Sequence, residues 1–158
     1  MDAVGLEVYF NRLAVFGRRV IYIWNLDVDP LNNALEQTLQ QTGTLASRSV
    51  AQFGNGDVLY LGDSGLRSLR ARDSSNAAAV SDIGSPIDPL LVAAIQAAGE
   101  ATTSLAQAIV EPVTGRFWLI LGNKVYVLSY FPGPKITAWS TYTPGITFDH
   151  VAVLGNSI

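Results

Sequence analysis

The chain has no cysteine and a single histidine, His150. The lack of cysteine excludes disulfides, thiolate-bound zinc and thiol redox chemistry. One histidine without a second histidine or a cysteine makes a poor set of metal ligands, so we expect His150 to be structural and predict no metal site. The sequence also holds no glycine-rich phosphate loop and no paired-carboxylate constellation, and we expect no cofactor.

Charged residues are few, at 15% of the chain, and acidic residues outnumber basic ones by 13 to 10. The net charge of −3 argues against tight nucleic-acid binding, which needs clustered Lys and Arg to neutralise phosphates. No window approaches the roughly 18 unbroken apolar residues of a membrane span, and residues 1–7 lack the basic start of a signal peptide. We therefore expect neither membrane insertion nor a signal peptide.

Hydrophobic residues make up 49% of the 158 residues, enough for one domain with a substantial core. The clearest pattern lies at 115–131, where two apolar, aromatic-rich runs flank Gly122-Asn123. Gly followed by Asn closes a two-residue type II′ turn, because glycine adopts the positive φ of the first turn position at little cost. The segment predicts a β-hairpin. Similar apolar runs adjoin three further turn glycines: Gly17, Gly62 and Gly155.

The spacing of these glycines indicates a repeated β unit. The intervals are 45 residues from Gly17 to Gly62, 60 to Gly122 and 33 to Gly155. Removing a helical insertion of roughly 20 residues from the middle interval leaves about 40, near the length of one propeller blade. The sequence thus predicts a mainly β protein whose antiparallel hairpins form part of a β-propeller-like fold, in a single partial domain over residues 1–158. Since the last hairpin stops at its turn, we expect a fragment of a longer protein, or a chain that another chain completes.

Two helical insertions interrupt this pattern. Asp29-Pro30 suits a helix start, because Asp caps the first turn and Pro fits its first position. The leucines that follow at helical spacing predict a helix at about 30–42: Leu31, Leu35 and Leu39. Asp88-Pro89 repeats this start and predicts an Ala-rich helix at about 89–109, bent near Gly99, within an insertion over 88–110. Strand composition predicts the other elements at about 6–10, 12–24, 49–53, 57–71, 136–142 and 147–154.

The tetrapeptide 62–65, Gly-Asp-Ser-Gly, matches the sequence around the nucleophile of trypsin-like serine proteases. The residues that follow it differ from that family, and the only histidine comes after the serine instead of well before it. We interpret the tetrapeptide as a hairpin turn, for which Gly, Asp and Ser are well suited. No catalytic residue is predicted.

Two groups of residues are candidates for an interaction surface. Basic side chains at alternate strand positions form a strip that could face a polyanion, although a solvated face is the favoured explanation: Arg67, Arg70, Arg72, Lys124 and Lys135. Aromatic residues could stack on a sugar, although large aromatics at strand spacing usually fill the core between sheets, which is the favoured explanation: Trp118, Trp139, Tyr126, Tyr130 and Tyr142. The candidate surface taken from both groups consists of Arg67, Arg70, Arg72, Lys135, Trp139 and Tyr142.

Three stretches of the sequence together carry a resemblance to a known family: residues 12–15 with 20–24, residues 57–73, and residues 116–119 through 130–133. They resemble the tail nozzle, or packaged-DNA stabilisation, proteins of short-tailed bacteriophages. Members of that family are built around a β-propeller, lie distally on the tail tube and are several times longer than this chain. The resemblance therefore also fits a fragment.

The resemblance implies a structural virion protein without enzymatic activity, made in the host cytoplasm and located in the phage tail. Copies would assemble with each other and with other tail proteins in a ring around the channel that retains the packaged genome and releases it. Double-stranded DNA would pass through, and no small-molecule substrate is implied. The alternative is a propeller-type binding module that recognises a cell-surface glycan or protein through Trp139, Tyr142 and nearby polar residues.

Overall fold

The computed structural model describes residues 2–74, 82–131 and 136–156. Over these residues the chain forms three antiparallel sheets in sequence order. Sheet 1 contains β1 (Gly5–Tyr9), β2 (Arg12–Phe16), β3 (Val20–Asn25) and β4 (Ala34–Gln40). Sheet 2 contains β5 (Ala51–Phe53), β6 (Asp57–Gly62) and β7 (Gly65–Ser68). Sheet 3 contains β8 (Gln107–Val110), β9 (Phe117–Leu121), β10 (Lys124–Phe131) and β11 (Ile136–Tyr142).

Each sheet is a meander, in which every strand pairs with the strand that precedes or follows it in sequence. Helix α1 (Leu69–Ser74) continues directly from β7, and helix α2 (Asp88–Thr103) lies between sheets 2 and 3 in sequence. Two 3₁₀ turns, Pro30–Asn32 and Ser47–Ser49, occupy connecting segments. The prediction of a mainly β, hairpin-based protein is confirmed.

Sheet 2 lies between the other two sheets, because its central strand β6 is apolar on both faces. Val58 and Tyr60 belong to a buried cluster with Phe16 and Ile21 of sheet 1. Leu59 and Leu61 project to the opposite face, since side chains alternate along a strand, and join the largest buried cluster. That cluster also contains Leu91 of α2 and residues of sheet 3: Phe117, Leu119, Leu121, Tyr126 and Leu128.

The first strands of the three sheets are neighbours: β1 lies beside β5, and β5 lies beside β8. The later strands of each sheet lie progressively farther from this line of contact, because each sheet is ordered as its strands occur in sequence. The sheets therefore stack face to face with their opening strands side by side.

The central hairpin forms as predicted. Leu121 of β9 pairs with Lys124 of β10, which leaves Gly122-Asn123 as a two-residue turn. Gly122 has φ of 62°, the positive value that a type II′ turn requires at its first position. In sheet 2, Gly62 pairs with Gly65, so Asp63-Ser64 form the turn between β6 and β7. This agrees with the interpretation of 62–65 as a hairpin turn.

The predicted helix at 30–42 is wrong. Only Pro30–Asn32 is helical, as a 3₁₀ turn in which the Asp29 carboxylate accepts from the Leu31 N–H, and β4 follows. Leu35 instead pairs with Trp24 of β3. Hydrogen bonding to a neighbouring strand overrides a modest helical preference, and the leucine spacing did not reveal that partner.

The second helix is shorter than predicted, and the last predicted strand is absent. Helix α2 ends at Thr103, and 107–110 is β8 instead of helix. The bend at Gly99 is confirmed, since its φ of 73° and ψ of 172° interrupt the helix. Residues 147–153 are not in a strand, and Leu154 forms only an isolated bridge.

Candidate functional site

Arg67 is buried inside the fold, where it holds β7 against helix α2. Its Nη1 donates to Asp88 Oδ2 and to the Leu66 carbonyl, each at 2.7 Å, and its Nη2 donates to the Ser64 carbonyl at 2.6 Å. The residue is 8% exposed. Its guanidinium is therefore committed to contacts within the chain.

The other candidate basic residues do not continue a strand face from Arg67. Arg70 and Arg72 lie on helix α1, where Arg70 is exposed and Arg72 is half-buried. The Nε of Arg72 lies 3.6 Å from Asp82 Oδ2. Lys135 lies outside the described residues. The structure brings Arg67 and Arg72 together at one cavity but places Arg70 apart from it.

That cavity has a volume of about 930 Å³ and lies between the β3–β4 side of sheet 1 and the β6–β7 turn with helix α1. Four arginines line it, and each is paired with a carboxylate. The pairs are Arg18 with Glu100, Arg19 with Asp63, Arg67 with Asp88 and Arg72 with Asp82. Because the four positive charges are balanced in this way, the cavity offers little net attraction for an anion.

Asp82 is the most deeply buried of these acids, with its side chain 3% exposed. Its Oδ1 accepts from the Ser68 and Ile83 N–H groups at 2.9 and 2.8 Å. Burial raises the pKa of Asp82 above its ordinary value, although the two backbone donors and nearby Arg67 and Arg72 oppose that rise. The carboxylate fixes the connection between β7 and the chain that leads to α2.

The candidate aromatic residues do not share a surface. Trp139 packs against the largest buried cluster and donates from Nε1 to the Ile83 carbonyl at 3.2 Å. Tyr142 lies three residues farther along the same strand, so it projects to the opposite face of sheet 3. It is 54% exposed. The two rings cannot stack on one sugar.

Ser64 and His150 occupy unrelated environments. Ser64 lies in the exposed β6–β7 turn. His150 is exposed, and its Nδ1 lies 2.9 Å from Arg48 Nη1. A guanidinium beside the ring is a poor partner for a general base, which needs a carboxylate or carbonyl to orient it.

An uncovered apolar surface on sheet 1 is the most distinctive feature of the described chain. Side chains on the face of sheet 1 that points away from sheet 2 form two cross-strand rows. Leu6 pairs with Val15 in one row, and Val8, Leu13, Trp24 and Leu35 follow each other across the four strands in the other. We call these six residues the outer apolar face: Leu6, Val8, Leu13, Val15, Trp24 and Leu35.

The outer apolar face is open to solvent at its margins. Leu6 is 61% exposed, Val8 51% and Leu35 45%, while the three central side chains are half-buried by their neighbours. The opposite face of the two central strands, β2 and β3, is buried, as Ala14 and Ile23 show at 0%. Contiguous apolar surface of this kind is typical of a protein–protein contact.

Sheet 3 has a corresponding outward face, but this one is covered. Phe148 and Val151 pack over a small cluster formed by Ile120, Val125 and Val127. Gln107 ties this segment down by donating to the Asp149 carbonyl at 2.8 Å and accepting from the Val151 N–H at 3.1 Å.

The outer apolar face is not evident from the sequence alone. The alternation of Leu6 and Val8 around Glu7 indicates that they share a face, but only the position of sheet 2 shows which face stays open. Within the part of the chain that the structure describes, no helix is long and apolar enough to cross a membrane. No protein-family model matches the chain, and no curated protein matches it.

Proposed function

We propose that this chain is a non-catalytic structural protein of a short-tailed phage tail, in which its sheets are successive blades of a β-propeller near the DNA exit channel. The observation that supports this proposal most is the stacking of three antiparallel meanders in chain order, with their first strands side by side. The sequence resemblance to tail nozzle proteins supplies the biological setting.

The stacking matches what a propeller requires of its blades. A blade is a small antiparallel sheet, typically of four strands, which packs face to face on the blades before and after it. Sheets 1 and 3 have four strands and sheet 2 has three, and sheet 2 packs on both neighbours. In this proposal β1, β5 and β8 are the strands nearest the propeller axis.

The outer apolar face fits a contact with another blade-like sheet. Its six side chains are apolar and cover four strands, as the inner face of sheet 1 does where it meets sheet 2. Aligned sheets pack through such faces at about 10 Å separation. The proposed occupant in the tail is a sheet of another copy or of another tail protein.

The acidic net charge of the chain supports a position beside a channel through which DNA passes. The net charge of −3 gives a surface that repels phosphates, so DNA slides past it and is not gripped. The arginines that line the large cavity are already paired with carboxylates and contribute little positive field.

Incorporation into particles tests the proposed contact. Leu6→Lys with Val8→Lys places two charges on the outer apolar face, and Ala93→Lys with Gln96→Lys places the same charges on exposed positions of helix α2. Both proteins should keep their circular dichroism spectrum, because all four positions are exposed. We expect only the α2 variant to enter particles at the level of the unmodified chain. Equal incorporation of both variants would count against this face as the assembly contact.

A further inference from the structure

The free edge of sheet 3 has the features of a strand that pairs with another chain. β11 is the terminal strand of its sheet and pairs only with β10 among the described residues. Six of its seven residues are exposed. The unpaired side of an edge strand presents N–H and C=O groups that readily pair with a further strand.

β11 also lacks the devices that normally protect an edge. Its sequence, Ile-Thr-Ala-Trp-Ser-Thr-Tyr, has no charge and no proline, and it is rich in β-branched and aromatic residues. Its pairing with β10 runs without a bulge from Ile136 opposite Phe131 to Tyr142 opposite Val125. Trp139 anchors the strand through its contact with Ile83, so the edge is held in an extended shape that suits pairing.

The other long edge of the described chain, β4, is protected. Ile23 pairs with Gln37 and Trp24 pairs with Leu35, which leaves Glu36 as an extra residue in a bulge. Glu36 is charged and is bound by Arg12 at 3.1 Å. Bulges and charges of this kind prevent edge-to-edge association. β11 carries neither a bulge nor a charge.

We propose that β11 pairs antiparallel with β11 of a second copy of this chain, across a two-fold axis at Trp139, to form one continuous sheet. In this register every residue of the strand has a compatible partner. The opposed pairs are Ile136 with Tyr142, Thr137 with Thr141, Ala138 with Ser140, and Trp139 with its own copy. Aromatic–aliphatic, Thr–Thr and aromatic–aromatic pairs are the favourable cross-strand combinations, and no like charges meet.

A two-fold contact of this kind closes on itself and gives a dimer, whereas a ring requires a head-to-tail contact. The inference therefore goes beyond the proposed function and does not rest on it. Loss of the dimer would leave the tail location untouched, and absence from the tail would leave the dimer untouched.

Charge substitutions test the pairing. Thr137→Lys with Thr141→Lys places lysine opposite lysine twice, and we expect the dimer to dissociate about tenfold or more readily in sedimentation equilibrium. Thr137→Lys with Thr141→Glu places opposite charges at the same exposed positions and should keep the dimer. Thr38→Lys with Gln40→Lys on β4 is the matched control and should also keep it. A chain that is monomeric at about 100 μM would overturn the proposal. So would a dimer that the double lysine variants of β11 and β4 weaken equally.

Cysteine cross-linking tests the register directly, since the chain has no cysteine of its own. Opposed residues in antiparallel strands have Cα atoms about 4.5 to 5.5 Å apart, which a disulfide can bridge. An Ala138→Cys chain mixed with a Ser140→Cys chain should therefore form an oxidised dimer, whereas each chain alone should not. Equal cross-linking in the mixture and in either chain alone would contradict the two-fold axis at Trp139.

Discussion

Arg67 Nη1 donates to Asp88 Oδ2 at 2.7 Å and so connects β7 to the first turn of helix α2. Both side chains are largely buried, at 10% and 20% exposure. A buried ion pair contributes little compared with an apolar pair, but the loss of one partner leaves an uncompensated charge in the interior. This contact is therefore a sensitive point in the attachment of α2.

Arg67→Met should lower the free energy of unfolding by about 3 kcal/mol, because it leaves the Asp88 carboxylate buried without its partner. Urea unfolding followed by circular dichroism measures this change. Arg70→Ala, at an exposed position of helix α1, is the control and should shift stability by no more than about 0.5 kcal/mol. Adding Asp88→Asn to Arg67→Met should restore part of the loss. Equal stability of the two single variants would show that Arg67 is not held as described.

Gly65→Ala should destabilise the chain more than Gly54→Ala. Both glycines have positive φ, of 116° and 62°, so both substitutions carry backbone strain of about 1 kcal/mol. Only at Gly65 would the new methyl group also clash with the Asp88 carboxylate. Nothing lies within 4 Å at Gly54. Urea midpoints that rank the two variants in the reverse order would contradict the placement of Asp88 behind the β6–β7 turn.

Alkaline pH should lower the free energy of unfolding because Tyr60 is buried. Burial raises the pKa of Tyr60 from 10.0 to about 12, although its hydroxyl lies 2.6 Å from Thr42 Oγ1, a contact that opposes the rise. The unfolded chain loses this proton first, so the free energy of unfolding falls as the pH increases from near 10 through about 12. Tyr60→Phe should show a smaller fall over that range in urea titrations. An unchanged alkaline profile would show that Tyr60 ionises freely.

Asp82 should also make the free energy of unfolding fall as the pH rises, but in the acidic range. Because burial raises its pKa, the folded state keeps a proton that the unfolded state loses near pH 3.8. Stability from this group therefore decreases as the pH rises from about 4 through the raised pKa. Asp82→Asn retains an Oδ1 that accepts from the Ser68 N–H but does not titrate. The stability of the unmodified chain relative to this variant should fall over that interval, and a relative stability that rises would contradict the burial of Asp82.

The sequence predicts correctly the turns and bends whose backbone conformation depends on the residues at that position. Gly122-Asn123 specifies its own turn, and Gly99 specifies the bend in α2, because in each case the backbone conformation needs a positive φ. The mainly β class follows from the same kind of evidence, namely apolar runs of strand length between turn residues.

Tertiary pairing explains what the sequence did not reveal. Residues 34–40 and 107–110 fit a helical pattern but are strands, because β3 and β9 provide hydrogen-bonding partners that lie outside those segments. Arg67 resembled a solvent-facing residue of a strip, yet it is buried because Asp88 approaches from helix α2. The outer apolar face was also invisible, since its exposure depends on which side of sheet 1 is packed against sheet 2.

Membership of the phage tail can be measured by locating the chain in a particle. Immunogold labelling of purified phage particles with an antibody against this chain, imaged by electron microscopy, measures that location. We expect gold at the tail, with no label on the capsid. Particles that carry no label, together with recovery of the chain only from the soluble fraction of infected cells, would contradict it.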